Sequence, residues 1–291
     1  MKNYVFGDTG GHAKQLFAAL REIGIEPRDG IIPEGKRVVH CGDLIHKGPN
    51  SKVLLAVVDT LIRQNPGQWE QILGNHEFQH ISGSPVFWRC DCDAEDIEII
   101  NAWFDEGLAK ATFAVDEAHD VAISVKPRVP LHAEKGMFFS HAGLTRKWWE
   151  VYIGPDRTLE EGSRLMNSQP VYMLTQPGEM LTGRTNLAAG PAWATGNNEV
   201  YNSWVDPDSS EFIDMDFVQV HGHSLSFDWK SKKWWARTDR SFRDFKNDTK
   251  LDETNRAVVT SMAGGTLIGI DPGYSKLADN EKQTYLTFDT P

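Results

Sequence analysis

Cysteine is scarce in this chain of 291 residues: Cys41, Cys90 and Cys92 are all there is. So small and odd a number excludes a disulfide framework and suits a reducing, cytoplasmic compartment. Cys90 and Cys92 flank Asp91 and are of a type that ligates metal. No second cysteine pair completes a four-ligand zinc centre, so the pair reads as an ordinary loop feature. Long apolar runs are also missing. None approaches 18 residues, so no transmembrane helix is expected. The start, MKNYVFGDTGG, lacks the apolar core and cleavage region of a secretory signal. Positive charge is in deficit, with 30 basic against 41 acidic residues and a formal charge of −11. That disfavours binding to nucleic-acid duplexes or an anionic membrane. It does not exclude an anionic substrate, because bound divalent ions can dominate the field of a site.

What is present is core material. Hydrophobic residues make up 40% of the chain, enough for one large α/β or sandwich domain spanning residues 1–291. Strand and helix signals alternate through the first 80 residues. Tyr4–Phe6, Arg37–His40 and Trp69–Leu73 read as strands; Leu16–Ile23 and Val53–Ile62 read as helices, the second opened by Asn50 and Ser51. This is the rhythm of parallel βαβ units. Residues 79–136 are less regular and read as a cap or insertion beside the site, with a helix at Ala94–Leu108 and a strand at Val121–Val125. Further strands are expected at Met137–Ser140, Phe217–Val220, Lys233–Arg237, Ala257–Ser261, Thr266–Ile270 and Thr284–Phe288. The C-terminal part then forms a second sheet packed on the first.

Chemistry collects at the strand ends, where ligands bind in open α/β sheets. Asp8, Asp43, Asn75-His76, His141 and His223 each follow an apolar strand and lie near a glycine, which lets the backbone turn sharply. Any one of them alone is more simply a turn, a helix cap or a hydrogen-bonded core residue, and Glu77 also reads as a cap. Five such positions at successive strand ends are not explained by turn chemistry, and Asp, Asn and His together suit manganese, iron or zinc.

The segments CGDLIHKGPNS, ILGNHE, FSHAGL, VQVHGHS and LIGIDPGY, in this order, resemble the calcineurin-like metallophosphoesterases, most of all the phosphoprotein phosphatase branch. They are also similar to symmetrical bis(5'-nucleosyl)-tetraphosphatases. The likeness runs from Val5 to about Tyr274. It implies a four-layer α/β/β/α sandwich of two mixed sheets flanked by helices. It implies two divalent metal ions about 3.5 Å apart, manganese first among the choices. Asp43 would bridge them, Asp8 would hold the first, and Asn75, His141 and His223 would complete the second. An activated hydroxide would attack phosphorus in line, His76 would serve the leaving oxygen, and Arg184 in MLTGRTN would clamp phosphate.

Three positions depart from the family pattern. Gly10 stands where a metal-binding His is usual, leaving His12 to reach back or water to fill the gap. His46 replaces the Asp that orients the catalytic His, and Lys47 replaces an Arg that binds phosphate, keeping the charge without the planar fork. The implied function is metal-dependent hydrolysis of phosphate monoesters, with a Ser/Thr phosphoprotein among the substrates. Alternative readings are a hydrolase of dinucleoside polyphosphates or nucleotides, which Leu73 in place of Arg favours, and a pseudoenzyme that binds phosphorylated partners. Trp148, Trp149, Trp193 and Trp204 either stack on a base or fill core and cleft.

Overall fold

The computed structural model describes residues 1–89, 92–206, 208–209, 211–234, 240–273 and 282–291. Short apolar runs suit strands buried on both faces. In the first strand Val5 points between two sheets and its neighbour Phe6 points at the helices; Val39 and Val38 divide the same way in the second. Strands β1 (Lys2–Phe6), β2 (Lys36–His40), β3 (Trp69–Ile72) and β4 (Ala109–Lys110) pair in parallel. The other sheet takes β5 (Thr112–Val115), β6 (Met137–Ser140) and β7 (Val218–His221). A ribbon of β8 (Phe227–Asp228) and β9 (Lys233–Trp234) stands apart. Then β10 (Thr249–Asp252), β11 (Ala257–Ser261) and β12 (Thr266–Gly269) complete the six-stranded order β10-β11-β12-β7-β6-β5. The last strand, β13 (Leu286–Asp289), returns to the first sheet antiparallel to β1, making it five-stranded.

Helices α1 (Ala13–Glu22) and α2 (Ser51–Gln64) cover the outer face of the first sheet with Leu16, Leu20, Leu54 and Val58. A single turn, α3 (Asn75–Phe78), follows β3, and α4 (Ala94–Asp105) packs against α2. Asp93 and Asp96 cap α4 reciprocally, each side chain accepting the other's backbone N–H. On the second sheet, α5 (Arg146–Tyr152) and α6 (Leu159–Asn167) bring Trp148 and Met166 to the layer of Phe138. Short helices α7 (Val171–Leu174) and α8 (Glu179–Thr182) follow. The result is the expected α/β/β/α sandwich. No helix among the described residues is long and apolar enough to cross a membrane.

Several elements differ from expectation. Val121–Val125 is not a strand: Ala122 donates to the Thr287 carbonyl, and His119 bridges Asp289, without a ladder. The segment 79–136 supplies α4, β4 and β5, so strands of both sheets come from it. The strand expected at Lys233–Arg237 is described only to Trp234; its remainder, like Cys90 and Asp91, lies outside the described residues. Asn50 occupies the cap position of α2 without a side-chain bond, while the Ser51 hydroxyl accepts from the His46 N–H at 2.9 Å.

Phe139 sits in the middle of the inter-sheet layer, stacked on Phe288 with ring centroids 5.5 Å apart. Phe139→Ala should cost about 3–5 kcal/mol, read as a lower denaturant midpoint with unchanged slope. A cost under about 1 kcal/mol would mean that this layer is not close-packed.

Candidate active site

Carbonyl-end loops of β1, β2, β3, β6 and β7 meet in one place. The loop after β1 is stitched to the loop after β2: the Asp43 carbonyl accepts from Thr9 N at 2.9 Å and Gly10 N at 2.7 Å. The loop after β2 is stitched in turn to α3. The Glu77 carboxylate, wholly buried, accepts backbone N–H bonds from Gly74, Asp43, Leu44 and Ile45 at 2.8–3.1 Å. Glycines permit the approach: a Cβ on Gly74 would lie 2.2 Å from Asp43 Oδ1, and one on Gly222 2.1 Å from Asp8 Oδ1. Asp43, His46, Lys47 and His223 all take positive φ, between 51° and 65°, a region costly for residues with a Cβ.

Around His141 the donors and acceptors do not balance. Its Nδ1 is 2.8 Å from the Cys41 carbonyl, so Nδ1 carries the proton and Nε2 presents a lone pair. That lone pair faces Asn75 Oδ1 at 3.0 Å, Asp43 Oδ1 at 3.2 Å and His223 Nδ1 at 3.1 Å. Nearby, Asp8 Oδ1 accepts from His223 N at 2.9 Å, while buried Asp8 Oδ2 and His223 Nε2 have no hydrogen-bond partner among the described residues. Converging lone pairs and uncompensated buried atoms fit cation binding. Asp8, Asp43 and His141 each offer a ligand atom within 4.8 Å of the others.

The electrostatics agree. Burial, then Asp271 and Asp43, push the Asp8 pKa well up. Burial would also raise Asp43, but His76, His141 and Lys47 outweigh it and hold that carboxyl well below the usual range. Burial pushes His76 down to about 3 and lowers His141 and His223. For Lys47 burial works against the charge, and Asp43, Asp8 and Asp271 overcome it. Its Nζ lies 3.1 Å from Asp43 Oδ2 and 4.0 Å from Asp8 Oδ2. A Cβ on Gly10 would touch the Lys47 side chain at 3.5 Å. The lysine therefore lies against the position where the family carries a histidine.

His76 Nδ1 is 2.7 Å from His46 Nδ1, and its Nε2 is 3.7 Å from Asp43 Oδ2. Beside it opens a cavity of about 240 Å³ lined by Asp43, Lys47, Asn75, His76, Phe87, Trp88, Met180, Leu181, Trp193 and His223. A larger cavity of about 710 Å³ lies against β4, β5 and α6, away from these groups. Two expected residues are not brought to the site. Arg184 is exposed in the turn after α8 and does not line the cavity. His12 sits at the N-cap of α1 near Gly48, outside the Asp8–Asp43–His141 group. His221, the last residue of β7, turns its Nδ1 to the Gly222 carbonyl. Of the tryptophans, Trp193 lines the cavity and Trp148 and Trp204 are core.

Sequence reasoning missed three supports. Glu77 does cap α3, accepting from Gly74 N, and the part not written in the sequence is that the same carboxylate also takes the N–H groups of Asp43, Leu44 and Ile45. Asp271, at the end of β12 in the quoted LIGIDPGY segment, interacts electrostatically with Asp8 and Lys47. Gln283 holds the Asp8 loop, donating to the Gly7 carbonyl at 2.9 Å and accepting from Thr9 Oγ1 at 3.0 Å; only the fold brings it there.

The family model described as calcineurin-like phosphoesterase matches residues 1–259. No curated protein sequence matches. Among solved structures, a cold-active protein-tyrosine phosphatase of a psychrophile Shewanella sp. is similar at 15% identity and a TM-score of 0.50, over 98% of this chain and 74% of that one. A provisionally assigned diadenosine tetraphosphatase aligns at 16% identity and a TM-score of 0.37, over 93% and 83%.

Glu77→Gln should destabilise the chain by at least about 2 kcal/mol. An amide has one acceptor oxygen, and leaving a buried donor unmatched costs about 1–3 kcal/mol. Chemical denaturation of both forms without added metal checks this; equal midpoints would remove Glu77 as the tie between the loops.

Proposed function

The chain belongs to the calcineurin-like phosphoesterase family, a family of dinuclear metal-dependent enzymes, and on that premise we propose that it hydrolyses phosphate monoesters of small or extended substrates. The observation that carries the proposal is the unprotonated His141 Nε2 facing Asn75 Oδ1 and Asp43 Oδ1, an arrangement that a cation balances. Asp8, Asp43, Asn75, His141 and His223 would hold the metal pair, with manganese, iron or zinc matching their donors. When bound, the pair supplies Lewis acidity toward phosphoryl oxygens and lowers the pKa of water.

The chain's own groups do the rest. Lys47 sets a point charge against the phosphate oxygens. His76, kept neutral by burial, gains proton affinity as a dianionic phosphate enters beside it, and its Nε2 then serves the leaving oxygen. His46 orients it through the Nδ1–Nδ1 contact. Phe87 and Trp88, with rings 5.0 and 5.2 Å from His76, wall one side of the imidazole. The cavity of about 240 Å³ has room for a phosphoryl group and part of what it is attached to, and is smaller than the roughly 300–1,000 Å³ of sites that enclose a drug-sized ligand.

One observation favours the second reading, hydrolysis of a dinucleoside polyphosphate. Trp88 is 42% exposed at the cavity edge, where a base could stack. A manganese-supplemented panel of an aryl phosphate, a phosphopeptide and a dinucleoside tetraphosphate separates the readings. Monoester turnover supports the first, and preference for the tetraphosphate supports the second. Metal uptake without turnover of any of them would leave a phosphate-binding protein.

His76→Asn should keep the metal content and lower turnover of a poor leaving group by about 10²–10⁴-fold, with a smaller loss for an acidic phenol. Unchanged turnover of the poor leaving group would take His76 out of the reaction. In the same assays Asp43→Ala should lose more metal and more activity than His12→Ala, and equal metal loss would contradict the assigned roles.

A further inference from the structure

A second group of ligand-type side chains lies behind His76. His46 from the loop after β2, His80 just after α3 and Cys92 just before α4 each present a ligand atom within 4.8 Å of the others. His46 Nε2 lies 3.5 Å from His80 Nε2 and 3.5 Å from Cys92 Sγ. These separations have a simple explanation. Zinc bonds of about 2.0–2.1 Å to nitrogen and about 2.3 Å to sulfur, at tetrahedral angles, put ligand nitrogens roughly 3.3–3.4 Å apart and nitrogen and sulfur roughly 3.5–3.6 Å apart. A nitrogen–nitrogen separation of 3.5 Å is long for a hydrogen bond, yet close to an edge of such a tetrahedron.

We propose that His46, His80 and Cys92 form a third metal site, separate from the dinuclear centre, that takes a zinc-like divalent cation through two imidazoles and a thiolate. The donor set is the mixed nitrogen and sulfur set that zinc favours, and three protein ligands leave one position for water. The sequence alone set Cys92 aside because no second cysteine pair completes a centre. The partners are instead histidines 46 and 12 residues earlier in the chain, brought in by the β2 loop and the exit of α3. Binding deprotonates the Cys92 thiol and releases that proton to solvent.

The site has a consequence for the catalytic side. A cation on His46 Nε2 uses that nitrogen's lone pair, so the imidazole proton sits on Nδ1 and points at His76 Nδ1, 2.7 Å away. His76 then accepts at Nδ1 and keeps its own proton on Nε2, the nitrogen on the Asp43 side. His46 thereby becomes a positioning residue fixed by a metal, where the related enzymes use a carboxylate. Cys92 and His80 also tie the approach to α4 against the β2 loop, beside Phe87 and Trp88.

The test is cobalt(II) titration of the metal-stripped full chain, followed by absorbance and by metal per chain at saturation. Wild type should develop a thiolate-to-cobalt charge-transfer band in the near ultraviolet. Cys92→Ser should lose that band and one metal equivalent while still taking up cobalt at the remaining sites. His80→Ala should weaken the thiolate-linked step by more than about ten-fold. As a second readout that needs no substitution, zinc should slow alkylation of Cys92 in the wild-type chain by at least about ten-fold, read by peptide mass. Absence of the thiolate band in wild type, an unaltered band in Cys92→Ser, or alkylation of Cys92 indifferent to zinc would each overturn the third site. None of these readouts depends on turnover, so a failure here is distinct from a failure of the phosphoesterase reading.

Discussion

One carboxylate holds the catalytic end of this fold together. Glu77 accepts the backbone N–H groups of Gly74, Asp43, Leu44 and Ile45. Two turns that would otherwise leave buried donors unpaired are bound to a single side chain. The bond to Asp43 N matters most. Asp43 sits at φ 51°, and its side chain reaches His141, Lys47 and the backbone of His76. Strain in the β2 loop and the aim of the central carboxylate thus depend on a residue that does not line the cavity. Burial and the Asp43 charge push Glu77 up to about 7, against the backbone bonds that favour its ionised form. A cation that neutralises Asp43 removes part of that opposition. With Asp43 as a ligand, as proposed, metal binding and loop order would be linked through this pair of carboxylates.

The charge pattern follows the same logic. Asp8, Asp43 and Asp271 crowd one end of the two sheets, and Lys47 is a cation that faces all three. Its position beside Gly10 joins two departures from the family pattern. A histidine is missing from the first motif, and a lysine from the second lies against that place. Ions held by Asp43 and Asp8, as proposed, would share those oxygens with this ammonium group. An arginine would not do the same, because its planar fork needs two aligned acceptors where Lys47 meets single oxygens at 3.1 and 4.0 Å.

Much of this was legible in the sequence, for a physical reason. Strands buried on both faces are unbroken apolar runs, and the polar residues that end them stand out by contrast. Asp8, Asp43, Asn75, His141 and His223 were found that way, and they meet in the structure through contacts of about 3 Å. Short edge strands carry no such contrast. β4 has two residues and β5 four, and neither stands out in the pattern. Val121–Val125 had the composition of a strand but no ladder to join. The return of β13 to the first sheet was invisible, because pairing partners are not written in composition. Arg184 was chosen by residue type in a glycine-bearing loop, and residue type does not say where a loop points.

His46 shows what lies between motif and geometry. As a letter it is a substitution that removes the negative charge the family pattern places behind His76. In the fold its two ring nitrogens face two different environments, His76 on one side and His80 with Cys92 on the other. Its positive φ of 65° holds it there, with its own N–H on the Ser51 hydroxyl. A carboxylate orients a histidine by accepting its proton, whereas an imidazole whose far nitrogen is occupied orients it by donating one. The two devices place the His76 proton on opposite nitrogens. With the proposed cation on the far nitrogen, the substitution would exchange one hydrogen-bond polarity for the other.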